Sequence, residues 1–72
     1  MDATLEKRTL DAFRGYVGGD LAEPAVLSAV RGIPLPERAD LVNRHRAELA
    51  AMDGGRFVIL RSMLLPLSQR DG

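Results

Sequence analysis

Apolar and polar positions alternate along the chain so as to mark four segments, separated by glycine and proline. From about Thr4 to Val17, Leu5, Thr9, Ala12, Phe13, Tyr16 and Val17 recur every three or four residues and Leu10 widens the stripe, which predicts a helix with one buried face. Asp2 or Thr4 offers a side-chain oxygen to its first turn, and Lys7 and Asp11 stand at the i, i+4 separation of a surface ion pair. Gly18-Gly19 ends the segment, because glycine readily takes the left-handed conformation that closes a helix.

A second, shorter helix is predicted over about 21–30. Asp20-Leu21-Ala22-Glu23 has the form of a capping box, and Pro24 falls in the first turn, where its missing N–H costs little. Leu21, Ala22, Ala25, Val26, Leu27, Ala29 and Val30 make this helix apolar over much of its circumference, so it is expected to have neighbours on several sides. Gly32 stops it, and each proline of Ile33-Pro34-Leu35-Pro36 pushes the residue before it towards extended dihedrals.

The third helix is expected over about 36–52, opened by Pro36 and Glu37, with Leu35, Ala39, Val42, Leu49 and Met52 as its buried stripe. Arg38, Arg44, Arg46, Asp40 and Glu48 take its other faces, and Asp40 precedes Arg44 in the favoured acid-before-base order. Asp53-Gly54-Gly55 breaks the chain again. The last segment, about 56–66, is nearly all apolar and places Phe57, Leu60, Leu64 and Leu67 at the spacing of a helix–helix seam, with Ile59, Met63 and Leu65 on adjoining faces. Phe57 to Leu60 also has strand-forming residues, but the chain holds no second strand to pair with it; a strand over 57–65 would need another molecule. Pro66 ends or kinks the helix, and Ser68 to Gly72 are mostly polar.

These segments define an all-α fold of three to four short helices in one domain spanning residues 1–72. At 72 residues a domain buries a modest share of its surface and usually relies on a staple. With no cysteine and only His45 as histidine, neither disulfides nor a thiolate or His-based zinc site is available, and no cofactor or metal is expected. Regular helix packing, completed by dimerisation, is the alternative. Ten basic and ten acidic residues cancel, which disfavours a dedicated nucleic-acid binder and does little to oppose self-association. Lys7 is the sole lysine beside nine arginines, a usage that fits a GC-rich bacterial genome. The N-terminus lacks the basic start and apolar core of a secretory signal, and no apolar run reaches the roughly 20 residues of a membrane helix, so a cytoplasmic protein is expected.

Catalytic chemistry finds no constellation. Ser28, Ser62 and Ser68 lie in no nucleophile context, and His45 with Glu48 reverses the Glu-x-x-His order of di-iron bundles. Gly15-Tyr16-Val17-Gly18-Gly19 follows no strand, so it reads as a helix stop and not as a phosphate loop. No small-molecule substrate is expected. The most informative feature is the final apolar segment: it predicts a non-enzymatic interaction module (an adaptor, chaperone-like partner or inhibitor) that meets another protein or a second copy through Phe57, Leu60, Leu64 and Leu67, with Arg56 and Arg61 at the rim. The alternative is a small dimeric helix-turn-helix regulator contacting DNA through Arg38, Arg44 and Arg46. Against it stand the stiff proline connection and the acidic Glu37 and Asp40 at the start of the would-be recognition helix.

Overall fold

The computed structural model describes residues 2–65, which form α1 (Ala3–Val17), α2 (Glu23–Val30), α3 (Leu35–Arg44), α4 (Arg46–Met52) and α5 (Gly54–Leu64), with no strand among the described residues. The strand alternative for Phe57 to Leu60 is thereby replaced by helix. Pro66, Leu67 and the polar residues after them lie outside the described residues.

Local chemistry sets most of the boundaries. Asp2 caps α1 by accepting from the Thr4 N–H at 3.0 Å. At the other end Gly19 takes φ +91°, a conformation that costs an L side chain strain. Beyond it the N–H groups of Asp20 and Leu21 both donate to the Gly15 carbonyl, at 2.8 and 3.1 Å. The Leu21 side chain then lies over Gly15, so closely that a Cβ there would come within 2.7 Å of Leu21 Cδ1.

That closure corrects the expected start of the second helix. Asp20 and Leu21 are engaged in finishing α1, so the Asp20–Glu23 capping box does not form; α2 begins at Glu23 with Ala22 as an N-cap that makes no side-chain bond. Its apolar girdle is also only half used: Val26 and Val30 are buried, whereas Leu27 stays exposed. Gly32 (φ +84°) turns the chain, and Arg38 Nε donates to the Ile33 carbonyl at 2.7 Å across the proline connection.

The expected helix over 36–52 is two helices, α3 and α4, joined at His45 (φ −109°, ψ 15°). The buried stripe explains the break. Val42 and Leu49 are both fully buried, but the turn between them presents His45 and Arg46, so no apolar side chain holds the middle of the helix to the core. The stripe itself is rotated from the expected one: Leu41 is fully buried, while Leu35 and Met52 remain over a third exposed. Asp53 then caps α5, its carboxylate accepting from the Arg56 N–H at 3.1 Å, and the helix starts at Gly54, two residues earlier than the apolar pattern indicates.

α1 and α5 are the central elements. α1 packs against α2, α4 and α5, and α5 packs against α1, α3 and α4. Phe13, Val26, Leu41, Val42, Leu49 and Leu60 are fully buried between them, and sequestering a side chain of that size contributes about 1.5–3 kcal/mol each. Thr9 is the buried polar residue of this core, and its hydroxyl donates to the Leu5 carbonyl at 2.8 Å. The chain exposes 4338 Å², close to the roughly 4,400 Å² that general scaling gives a folded monomer of this mass. The described helices thus bury a contiguous apolar core within one chain.

Candidate interaction surface

α5 has an inner and an outer face, and both are apolar. Phe57, Leu60 and Leu64, expected to meet a partner, point inward and are at most 5 % exposed. Their seam is formed with this chain's own α1, α3 and α4. Leu67, the fourth member of the expected interface, lies outside the described residues.

The outer face is made of Gly54, Gly55, Val58, Ile59 and Ser62. At 100° per residue these five fall within one side of the helix, and none carries a charge. Val58 and Ile59, at 62 % and 48 % exposure, are the most exposed large apolar side chains among the described residues.

The two arginines expected at the rim of this segment serve other ends. Arg56 crosses to α1, where its Nε donates to the Tyr16 carbonyl at 2.7 Å and its guanidinium lies 4.5 Å from the centre of the Tyr16 ring. The contact satisfies a carbonyl at the end of α1 and adds a cation–π attraction. Arg61 is half-buried, with its guanidinium 5.9 Å from the Phe57 ring centre.

The arginines of the DNA-binding alternative are not gathered as a free cationic face. Arg38 is committed to the Ile33 carbonyl. Arg44 bridges Asp40 at 2.9 Å and Glu6 at 3.1 Å, and its pKa is raised by the hydrogen bond to Glu6 together with the nearby Asp40 charge. Arg46 is exposed at the start of α4. Asp40 and Arg44 thus make the pair their spacing suggests, but it is a contact within α3 extended to α1.

Glu48 joins α4 to α1 through both its oxygens. Arg14 Nε donates to Oε2, and Arg14 Nη2 donates to Oε1 at 3.1 Å. This hydrogen-bonded guanidinium holds the Glu48 carboxyl below the usual glutamate range, and the nearby His45 acts in the same direction. His45 Nδ1 lies 3.8 Å from Glu48 Oε1. Among the described residues no cluster of three or more His, Asp or Glu side chains is arranged to hold a metal ion. Nor is any helix there long and apolar enough to cross a membrane.

One concave feature escapes the sequence reading. Between α1 and α2 lies an open groove of about 390 Å³, lined by Leu5, Arg8 and Thr9 from one side and Ala25, Ser28, Ala29 and Arg31 from the other. Neither arginine is marked by a local motif, since the two are brought together only by the packing of α1 on α2. No protein-family model, curated protein or solved structure matches this chain.

Proposed function

We propose that the protein acts by binding and not by catalysis, as a small interaction module whose outward α5 face docks against the same face of a second copy. The observation that carries this reading is the uncharged helical strip formed by Gly54, Gly55, Val58, Ile59 and Ser62 on the outside of an already closed core. A helix covered only by solvent ordinarily carries a polar outer face. Here two branched aliphatics occupy that face, with glycines and a serine around them that let a second helix approach closely.

A second copy suits the strip because an uncharged face meeting itself brings no like charges together, and the chain's net charge of zero adds no long-range repulsion. One helix face is smaller than the roughly 800 Å² that each partner gives to a standard interface. The dimer is therefore weak, with a dissociation constant on the order of 10–100 µM. The DNA-binding alternative has less support, because Arg38 and Arg44 are engaged within the chain.

Sedimentation equilibrium between micromolar and millimolar protein tests this directly. The expected result is a reversible monomer–dimer equilibrium that Val58→Lys/Ile59→Lys shifts to monomer without loss of helicity. A monomer at every concentration overturns the second-copy reading, and a dimer unaffected by the two lysines moves the interface away from α5.

A further inference from the structure

We propose that the groove between α1 and α2 is a binding site for the phosphate monoester dianion of a small polar molecule. The site is separate from the α5 face and stands independently of the self-association proposed for it.

Helical spacing builds both walls of the groove. Leu5, Arg8 and Thr9 stand at i, i+3 and i+4 on α1, and Ala25, Ser28 and Ala29 repeat that spacing on α2, so each triplet shares one face of its helix. The two alanines are too short to fill the space opposite α1, and Arg31, three residues beyond Ser28, completes the lining. The surface left accessible there is mostly polar. Arg8, Ser28 and Arg31 are its exposed polar side chains, whereas the Thr9 hydroxyl is buried and donates to the Leu5 carbonyl.

Charge and donor geometry point to the ligand. Arg8 and Arg31 make no ion pair among the described residues, and Asp11, one turn along α1 from Arg8, pairs with Arg14 at 3.7 Å. No carboxylate lines the groove. Arg14 and Arg44, outside it, are each paired with carboxylates. Two uncompensated positive charges, one from α1 and one from the end of α2, therefore border one groove in a chain of zero net charge. A carboxylate has two oxygens and is used up by one guanidinium fork. A phosphate monoester has three terminal oxygens and, above a pH of about 6, close to two negative charges, so it can take a fork from each wall and still accept from the Ser28 hydroxyl. A volume of about 390 Å³ lies at the lower end of ligand-binding pockets, which suits a small ligand. The mostly polar lining gives a lipid chain or an aliphatic side chain no apolar bed.

The test is a titration of the full chain with methyl phosphate at low salt and about pH 7, followed through its amide NMR signals. Methyl sulfate, with the same shape and a single charge, serves as the control. Methyl phosphate is expected to shift the Arg8, Ser28 and Arg31 amides saturably and to bind about tenfold or more tightly than methyl sulfate. Its affinity should fall as the pH is lowered through about 6, where the ester takes up a proton. Arg8→Gln/Arg31→Gln should weaken binding by about tenfold or more, since two charge-assisted hydrogen bonds are lost. Lys7→Gln, which removes an exposed cation beside the groove but outside its lining, should leave affinity within about twofold. All three side chains are exposed, and circular dichroism checks that the variants fold. Absence of saturable shifts overturns the assignment, as does equal affinity for methyl sulfate or unchanged affinity in Arg8→Gln/Arg31→Gln. An equal loss in Lys7→Gln overturns it too, because the chain would then read diffuse charge. Vesicles containing phosphatidic acid present the same group on a membrane; binding them more than about tenfold more tightly than methyl phosphate assigns the group to a lipid and overturns the small-molecule reading.

Discussion

The Arg14–Glu48 contact gives the packing of α4 on α1 a dependence on acidity whose sign follows from its direction. Hydrogen bonding to Arg14 lowers the Glu48 pKa in the folded chain, so the ionised form is favoured there. The resulting stabilisation is fully present above the ordinary glutamate value and is lost as pH falls through the lowered one. Because the two side chains remain about 40 % exposed, solvent screening keeps the contribution small. Denaturation midpoints of the native chain and Glu48→Gln, compared between pH 7 and pH 3, should differ by a constant amount until the pH drops below about 4.5 and then converge. A difference that persists unchanged into acid would show that the pair does not act as ions. The same residue scale shows what a sequence can and cannot carry. Asp40 and Arg44 are readable as a pair because helical spacing brings positions four apart together. Arg14 and Glu48 lie 34 positions apart, and no local rule connects them. Arg8 and Arg31 are in the same situation, which is why the groove they border was invisible before the helices were packed.

Among elements, α5 poses the sharpest ambiguity and permits the clearest substitution test. Seven of the nine residues from Phe57 to Leu65 are apolar, so periodicity identifies a seam without indicating which side of the helix faces its own chain. The packing resolves it. Leu60 is fully buried and Val58 is 62 % exposed, although the two are neighbours in sequence and similar in character. Leu60→Ala should therefore cost about 2–5 kcal/mol, from lost transfer energy and an unfilled cavity. Val58→Ala should change the stability of the monomer by no more than about 0.5 kcal/mol. Equal losses in urea denaturation at a concentration where the chain is monomeric would contradict this assignment of faces. Helix ends were legible wherever a residue enforces them, as Gly19 and Gly32 do through positive φ. The break at His45 was not, because neither glycine nor proline marks it. It comes from the missing apolar anchor between Val42 and Leu49, a gap that the sequence contains but that a stripe resuming in phase seven residues later reads as one continuous helix.

For the whole molecule, the question raised by a short chain without cysteine is whether it folds alone. Its Cα radius of gyration is 11.0 Å, and a compact chain of this length is expected at about 11 Å. Its accessible surface likewise matches that of a closed monomer. The inner face of α5 builds the core and its outer face stays exposed, so folding and self-association are predicted to be separable. At roughly 0.05–0.15 kcal/mol per residue, the total stability is only about 4–11 kcal/mol. An obligate dimer would lose a large part of that on dilution, whereas a folded monomer with a weak outer contact would lose only about 1 kcal/mol and stay folded. Mean residue ellipticity at 222 nm should accordingly be the same at 1 µM and 500 µM, while the thermal midpoint should rise by about 3–11 °C at the higher concentration, since a dimer of the proposed affinity contributes about 0.8–1.4 kcal/mol there. The Val58→Lys/Ile59→Lys chain should retain the dilute-protein midpoint at both concentrations. Helicity that collapses on dilution would mean that the core seen within one chain is insufficient, and that α5 stabilises the fold only when a second copy covers its outer face.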